Sequence, residues 1–262
     1  MVTDLQSNLI SKEALYGANN YSPLPIVLNK GEGVYLWDVD GNKYLDMMSA
    51  YSAVSHGHSH PELLKVLLEQ AQKLAISSRA FYTEPFSEYI EKLSKISNFE
   101  SVLPMNTGAE AVETAIKAAR RWGYFTKGIK KNCAEIIVAE GNFHGRTTTI
   151  VGFSSEKEYK KGFGPFADGF IEAEYCSSNC NCSKVCENSI RSIKNAINNN
   201  TCAVIVEPIQ GEGGIITPQS GWLKQLRELC NENNVFLILD EIQSGLGRTG
   251  KLFAFEHEDI KP

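Results

Sequence analysis

Apolar positions along this chain keep three different periods, and each marks a stretch of different architecture. After a polar opening over residues 1–20, which reads as a loosely docked arm, the stretch YSPLPIVLNKGEGVYLWDVDGNKYLDM alternates apolar and polar residues and is broken by Gly31, Gly33 and Asp40-Gly41. That alternation predicts two or three short antiparallel strands, with Val34, Leu36 and Val39 leading to the Asp-Gly turn and Lys43, Tyr44 and Leu45 following it. The period then lengthens. Pro61 suits the first position of a helix, and Leu63, Leu64, Val66, Leu67 and Leu68 set a helical apolar face behind it. A second helix follows from about Glu84 to Ile96.

From Val102 onward, short unbroken apolar runs alternate with helical patterns. A strand is expected to end at Met105, and a helix to open after Asn106-Thr107-Gly108 with Val112, Ala115, Ile116, Ala119 and Trp122 on one face. A strand over Ile136, Ile137 and Val138 comes next, then a helix or strand through TTTIVGF, then a long loop, EKEYKKGFGPFADGF. The helix SIRSIKNAINNN, the strand TCAVIV, the helix GWLKQLRELC and the run Val235–Leu239 complete the series. Runs that are apolar at successive positions are buried on both faces, as in parallel sheets. The pattern therefore predicts an α/β fold, a mostly parallel sheet flanked by helices, with a small N-terminal β-containing segment. Residues 1–55 form the arm and small-domain segment and 56–262 the large domain.

Composition narrows the function classes. The 262 residues carry a formal net charge of -5, with 42% hydrophobic and 22% charged residues. This is the balance of a soluble globular protein, and it supplies no basic footprint for nucleic acid or anionic lipid. No apolar run approaches membrane-spanning length, and the opening lacks a signal-peptide or transit-peptide pattern, so a cytoplasmic protein is expected. Cys176, Cys180, Cys182 and Cys186 crowd into YCSSNCNCSKVCEN at C-x3-C-x-C-x3-C spacing. Zinc sites use C-x2-C or C-x4-C pairs set well apart, so a polar, reduced surface insertion is expected there and no metal site is assigned. Cys133, Cys202 and Cys230 lie beside or inside apolar segments and read as small core residues.

Several positions carry candidate chemistry. Thr107 and Glu110 have the spacing of a capping box, and a helix opening directly after a glycine turn presents backbone N–H groups at a positive dipole end, a ready anion site. Phe143, His144 and Arg146 follow a strand, where an aromatic ring and a guanidinium suit a planar, anionic ligand. Glu207 and Glu212 follow the TCAVIV strand, and Asp240 and Glu241 follow Val235–Leu239. Gly245 to Lys251 matches the phosphate loop G-x-x-x-x-G-K, but Leu252 stands where the metal-binding Ser or Thr belongs and two acids intervene after the strand, so that reading is set aside.

Taken in order, MNTGAEAVETAIKAARRW, GNFHGRT, VEPIQGEGG and LDEIQSGLGRTG resemble the class III aminotransferases of pyridoxal 5′-phosphate fold type I. Within that family, GANNYSPLP, GVYLWDVDGNKYLDMMSAYSAVSHGHSHP, SRAFY, VLPMNTGAEA and GFGPF look most like the ornithine aminotransferases. The resemblance implies pyridoxal 5′-phosphate as cofactor, with Asp240 at its pyridine nitrogen, Gln243 at its phenolic oxygen, Phe143 stacked on its ring, and Thr107, Gly108 and Ala109 at its phosphate. It implies Arg146 at the α-carboxylate of glutamate or 2-oxoglutarate, Tyr21 and Tyr51 in contact with ornithine, and Glu212 as the acid that shields a second substrate-binding arginine elsewhere. The implied reaction moves the δ-amino group of L-ornithine to 2-oxoglutarate in a homodimer. The lysine that holds the cofactor as a Schiff base follows a P-D-x-x-x-x-G-K strand in this family and is expected beyond Pro262, so residues 1–262 alone are expected to be inactive. Two alternatives stay open: another ω-aminotransferase, acting on acetylornithine or 4-aminobutyrate, and a non-catalytic binding protein on the same fold.

Overall fold

Thr3 starts the first helix. Its hydroxyl accepts the Gln6 N–H at 3.3 Å and caps α1 (Asp4–Tyr16). In this computed structural model, which describes residues 3–176 and 186–262, the polar opening is thus a helix rather than a loose arm. Its stability comes from polar contacts that apolar periodicity does not reveal. Gln6 is buried, its Oε1 accepting from Val27 N at 3.2 Å while its Nε2 donates to Asp38 and Asp40. Three antiparallel strands follow, in the order β1 (Leu28–Glu32), β2 (Tyr35–Asp38), β3 (Lys43–Leu45). The register pairs Tyr35 with Leu45 and Leu36 with Tyr44, and Gly41 makes the turn at φ +85°. Asp38, almost fully buried, accepts from the backbone N–H of Asp40 and Asn42, from Asn42 Nδ2 and from Tyr44 Oη. Burial pushes its carboxyl up, and these hydrogen bonds more than reverse that, leaving it below its ordinary value.

Pro61 opens α2 (Pro61–Lys73) as expected, but no residue of that helix is buried, and Leu63, Val66, Leu67 and Leu68 are each more than half exposed. The apolar face exists and nothing among the described residues covers it. α3 (Glu84–Ser97) leads out of the N-terminal unit, Met1–Phe86, into the larger one, Ser87–Pro262. By contacts, α2 belongs to the N-terminal unit.

In the larger unit α4 (Gly108–Trp122) runs into a π-helical turn, Gly123–Lys127, before β4 (Glu135–Ala139). Two helices, α5 (Thr148–Phe153) and the short α6 (Lys157–Lys160), precede β5 (Phe170–Ala173). Then come α7 (Glu187–Ala196), β6 (Thr201–Val206), α8 (Trp222–Glu232), β7 (Phe236–Leu239) and a 3-10 turn, Ala254–Glu258. The four strands form one parallel sheet in the order β5-β4-β6-β7. Side chains alternate between its faces, as the strand period requires. Ile137, Val204, Val206 and Leu237 pack with Ile193 of α7 and with Trp222 and Leu226 of α8. Ile136, Val138, Ala203 and Ile205 pack on the other face with Val112, Ile116 and Ala119 of α4 and Ile150 of α5. The central strands are apolar from Ile136 in β4 and from Cys202 in β6 because each face has its own helix layer.

Three local expectations are corrected. Residues 101–105 form no strand, and Leu103 is largely exposed. Phe170–Ala173, read as loop, is an edge strand whose four residues are too few to show a period. Cys176 and Cys186, expected to be reduced, form a disulfide; β5 and the start of α7 bring their Cα atoms to 5.6 Å, within bridging distance. Cys180 and Cys182 lie outside the described residues. Among the described residues, no group of three or more His, Cys, Asp or Glu is placed to hold a metal ion, and no helix is long and apolar enough to cross a membrane.

Candidate active site

The carboxyl ends of β4, β6 and β7 converge on the N-terminus of α4, the position where open parallel sheets take ligands. One cavity is lined there by Gly108 and Ala109 of α4, by Phe143 to Gly145 after β4, by Glu207 and Ile209 after β6, and by Asp240, Ile242 and Gln243 after β7.

The helix end is built by the expected capping box. Thr107 Oγ1 accepts from Glu110 N at 3.1 Å, and Glu110 Oε2 accepts from Asn106 N at 2.8 Å and Thr107 N at 3.2 Å. Thr107 therefore uses its oxygen on the helix, while Gly108 and Ala109 face the cavity. Gly108 lies close against the Ile242 side chain, where an added Cβ would stand 2.8 Å from Ile242 Cδ1. The first-turn N–H groups and the helix dipole make this end an anion site.

Asp240 continues the β7 ladder, donating its N–H to Val206 O at 2.9 Å, and its side chain is almost fully buried. Its Oδ2 lies 2.7 Å from His144 Nδ1, and its Oδ1 accepts from Ile242 N at 3.1 Å. Glu207, also buried, ties two loops together by accepting from Phe143 N at 2.9 Å and Gly211 N at 3.2 Å. Burial pushes its carboxyl above its ordinary value, with the Phe143 and Gly211 N–H groups opposing. The segment is pinned further by Tyr175, whose hydroxyl donates to Glu207 O at 2.9 Å, and by Gln210, whose Nε2 donates to Glu140 O at 2.7 Å.

The remaining candidates lie as follows. Gln243 Nε2 is 3.5 Å from Glu212 Oε1. The Arg146 guanidinium lies 5.8 Å from the Phe143 ring centre and 5.1 Å from that of Tyr159, with the two rings edge to face at 6.2 Å. Thr107 and Arg146 adjoin cavity residues in sequence and Glu212 follows three residues after Ile209, and none of the three lines the cavity itself. Tyr21 and Tyr51 belong to the N-terminal unit, where their hydroxyls meet at 2.8 Å. Glu241 plays a structural part, accepting from Ala254 N, Phe255 N and Ser244 Oγ. No helix opens at Gly250-Lys251, as a nucleotide phosphate loop requires.

Two cavity residues, His144 and Glu207, were visible in the sequence only as polar residues following strands. Their partners stand 96 and 64 residues away, and no local spacing reports such pairs.

Residues 16–262 match the family described as aminotransferase class-III. The chain is 54% identical to an ornithine aminotransferase of Brevibacillus brevis over 254 residues, 97% of this chain and 61% of that protein. It is also 54% identical to an ornithine aminotransferase 2 of Staphylococcus saprophyticus, covering 94% of this chain and 59% of that one. The chain thus spans about 60% of the length of the curated relatives it matches. Among solved structures, the Toxoplasma gondii ornithine aminotransferase, with PLP at partial occupancy in its active site, superposes with a TM-score of 0.92 at 38% identity. That match covers 98% of this chain and 58% of the other. The acetylornithine aminotransferase of Elizabethkingia anophelis superposes with a TM-score of 0.81 at 45% identity over the same shares.

Proposed function

Because the chain belongs to the class III aminotransferases, whose cofactor is pyridoxal 5′-phosphate, we propose that the whole protein transfers the δ-amino group of L-ornithine to 2-oxoglutarate, giving glutamate 5-semialdehyde and glutamate. The observation that carries the reading is a single cavity that contains both an anion-binding helix end and a buried carboxylate. These two features match the charges of a phosphorylated pyridinium, so the residues present fit the cofactor.

When bound, the cofactor supplies a conjugated ring that accepts the electrons of the C–H bond being broken. Gly108 and Ala109 bind its phosphate through backbone N–H groups, with Thr107 holding the helix end in shape. Asp240 keeps the proton on the pyridine nitrogen, because a buried carboxylate stabilises the cation beside it. Phe143 stacks on the ring, and Gln243, steadied by Glu212, bonds its phenolic oxygen. Arg146 takes a substrate carboxylate in bidentate fashion; the Phe143 and Tyr159 rings beside it favour guanidinium over ammonium. Tyr21 and Tyr51, hydrogen-bonded to each other, contact ornithine. The protein acts as a homodimer. The uncovered apolar row of α2 supports that assembly, since exposed patches of this kind mark interaction surfaces.

Acetylornithine as donor is a second reading, favoured by the 45% identity to the Elizabethkingia enzyme. Steady-state assays of the whole protein with ornithine, acetylornithine and 4-aminobutyrate against 2-oxoglutarate separate the readings. Ornithine is expected to give the highest kcat/KM. Acetylornithine in first place would replace the donor, and glutamate formation from none of the three would overturn the proposal.

A further inference from the structure

We infer that Asp46 and His58 are positioning residues for Tyr51: together they hold the backbone of residues 49–52 in a left-handed turn and so fix where the Tyr51 hydroxyl stands. The purpose rests on the reading above of Tyr51 as an ornithine contact, and the geometry belongs to the N-terminal unit alone. Ser49, Ala50, Tyr51 and Ser52 follow one another at φ +53°, +46°, +55° and +76°. A residue with a side chain enters this region singly, because its Cβ crowds the carbonyl that follows. A run of four without a glycine persists only where surrounding contacts over-determine it.

Those contacts converge on Asp46. Its Oδ1 accepts from Met48 N at 3.0 Å and from Ser49 N at 2.9 Å, at the entry to the turn, and its Oδ2 lies 2.7 Å from His58 Nε2. The hydrogen bond from His58, foremost, and that from Ser49 N–H hold the Asp46 carboxyl below its ordinary value, so it serves both sides as a charged acceptor. At the exit, the Ser49 hydroxyl donates to Val54 O at 2.8 Å and Val54 N donates to Ser49 O at 3.0 Å. Both ends of the clasp stand on the connection between β1 and β2. Asp46 N donates to Val34 O at 2.9 Å, and His58 exchanges two backbone hydrogen bonds with Gly33, at 2.8 and 3.0 Å. The His58 ring lies against Gly31, where an added Cβ would stand 2.9 Å from His58 Cβ and Cγ. The turn carries Tyr51 outward, more than half exposed, with its hydroxyl 2.8 Å from that of Tyr21. Tyr21 comes from the stretch before β1, so the two phenols meet only while the turn keeps its shape.

The test compares the unsubstituted whole protein with His58→Leu, which fills the space without a donor, His58→Gln, whose amide nitrogen can stand near the place of Nε2, Tyr51→Phe, and the double variant His58→Leu/Tyr51→Phe. The first readout needs no substrate. Backbone hydrogen exchange over residues 46–54 is expected to quicken about tenfold in His58→Leu and to stay near the parent rate in His58→Gln, with β2 and β3 unchanged in both. Equal exchange over 46–54 in the parent and His58→Leu would overturn the inference. The second readout is kcat/KM for ornithine. His58→Leu and Tyr51→Phe are each expected to lower it about fivefold, the scale of one hydrogen bond, and His58→Gln to keep most of it. The double variant is expected to lose about fivefold as well, because a residue that acts through Tyr51 has nothing left to position. Losses that multiply in the double variant would overturn the inference, as would equal losses in the Gln and Leu variants. Tyr51→Phe at the parent kcat/KM would instead overturn the reading of Tyr51 as an ornithine contact, and with it the purpose assigned to the clasp.

Discussion

Replacing Gly145 with alanine tests whether the loop after β4 and the start of α4 are held at a fixed separation. Gly145 has φ +124°, and a Cβ built on it would stand 3.0 Å from Ala109 Cβ, 3.3 Å from Ala109 Cα and 3.4 Å from Ile150 Cδ1. A φ this far into positive territory costs an alanine about 1–3 kcal/mol of backbone strain. The crowding against Ala109 is tighter than ordinary packing and adds about 1–3 kcal/mol unless the backbone shifts. Relief requires the loop to retreat from α4, carrying Phe143, His144 and Arg146 with it. Stability is therefore expected to fall by roughly 2–6 kcal/mol, and pyridoxal phosphate affinity of the whole protein by about tenfold or more. Gly162→Ala is the control, because Gly162 has φ +82° with nothing within 4 Å of the added Cβ, so only strain of about 1–2 kcal/mol applies. Urea denaturation at unchanged m, together with equilibrium dialysis of the cofactor, reads both effects. If Gly145→Ala proves no worse than Gly162→Ala in either measurement, the contact with Ala109 does not hold the site.

Thr107→Ala removes the oxygen that accepts the Glu110 N–H and is expected to cost about 1 kcal/mol in urea denaturation, with Thr107→Ser retaining most of it. Asp38, whose carboxyl titrates below its ordinary value, stabilises the fold above the unfolded carboxylate pKa of about 3.9, and that contribution is lost as pH falls through the lowered native value. Asp38→Asn should therefore gain less stability than the parent between pH 3 and pH 6, and an unchanged difference between the two would refute the assignment. Glu207 works in the opposite sense. Its raised native pKa means that its contribution is complete below the unfolded value of about 4.3 and is lost as pH rises through the native one. The stability gap between the parent and Glu207→Gln should shift against the parent from pH 4 to pH 7, which denaturation at the two pH values would show.

The parallel sheet was legible from unbroken apolar runs: TCAVIV is buried at every position, Val235–Leu239 is apolar throughout, and a helical period separates them. The capping box at Thr107 and Glu110 and the Asp40-Gly41 turn were legible because both are local, set by residues at most three apart. Helix α1 was not, since its hold on the fold is the buried amide of Gln6 rather than an apolar stripe. The apolar face of α2 was legible as a face, and its exposure was not, because periodicity reports amphipathicity and not what covers it. The Cys176–Cys186 bridge depends on two strand and helix ends meeting, which spacing alone does not show. In the candidate site, the residues were identifiable by type and order, but the contacts that orient them, His144 with Asp240 and Glu207 with Phe143, join separate strands and exist only once the sheet has formed.

The central claim is that one cavity takes pyridoxal phosphate with its phosphate on α4 and its ring nitrogen on Asp240. A crystal structure of the whole protein grown with the cofactor tests this directly. The phosphate is predicted within hydrogen-bonding distance of the Gly108 and Ala109 N–H groups, and the pyridine nitrogen within hydrogen-bonding distance of the Asp240 carboxylate. A phosphate seated elsewhere, at the Gly245–Gly250 loop for example, or a ring nitrogen turned away from Asp240, would contradict the account.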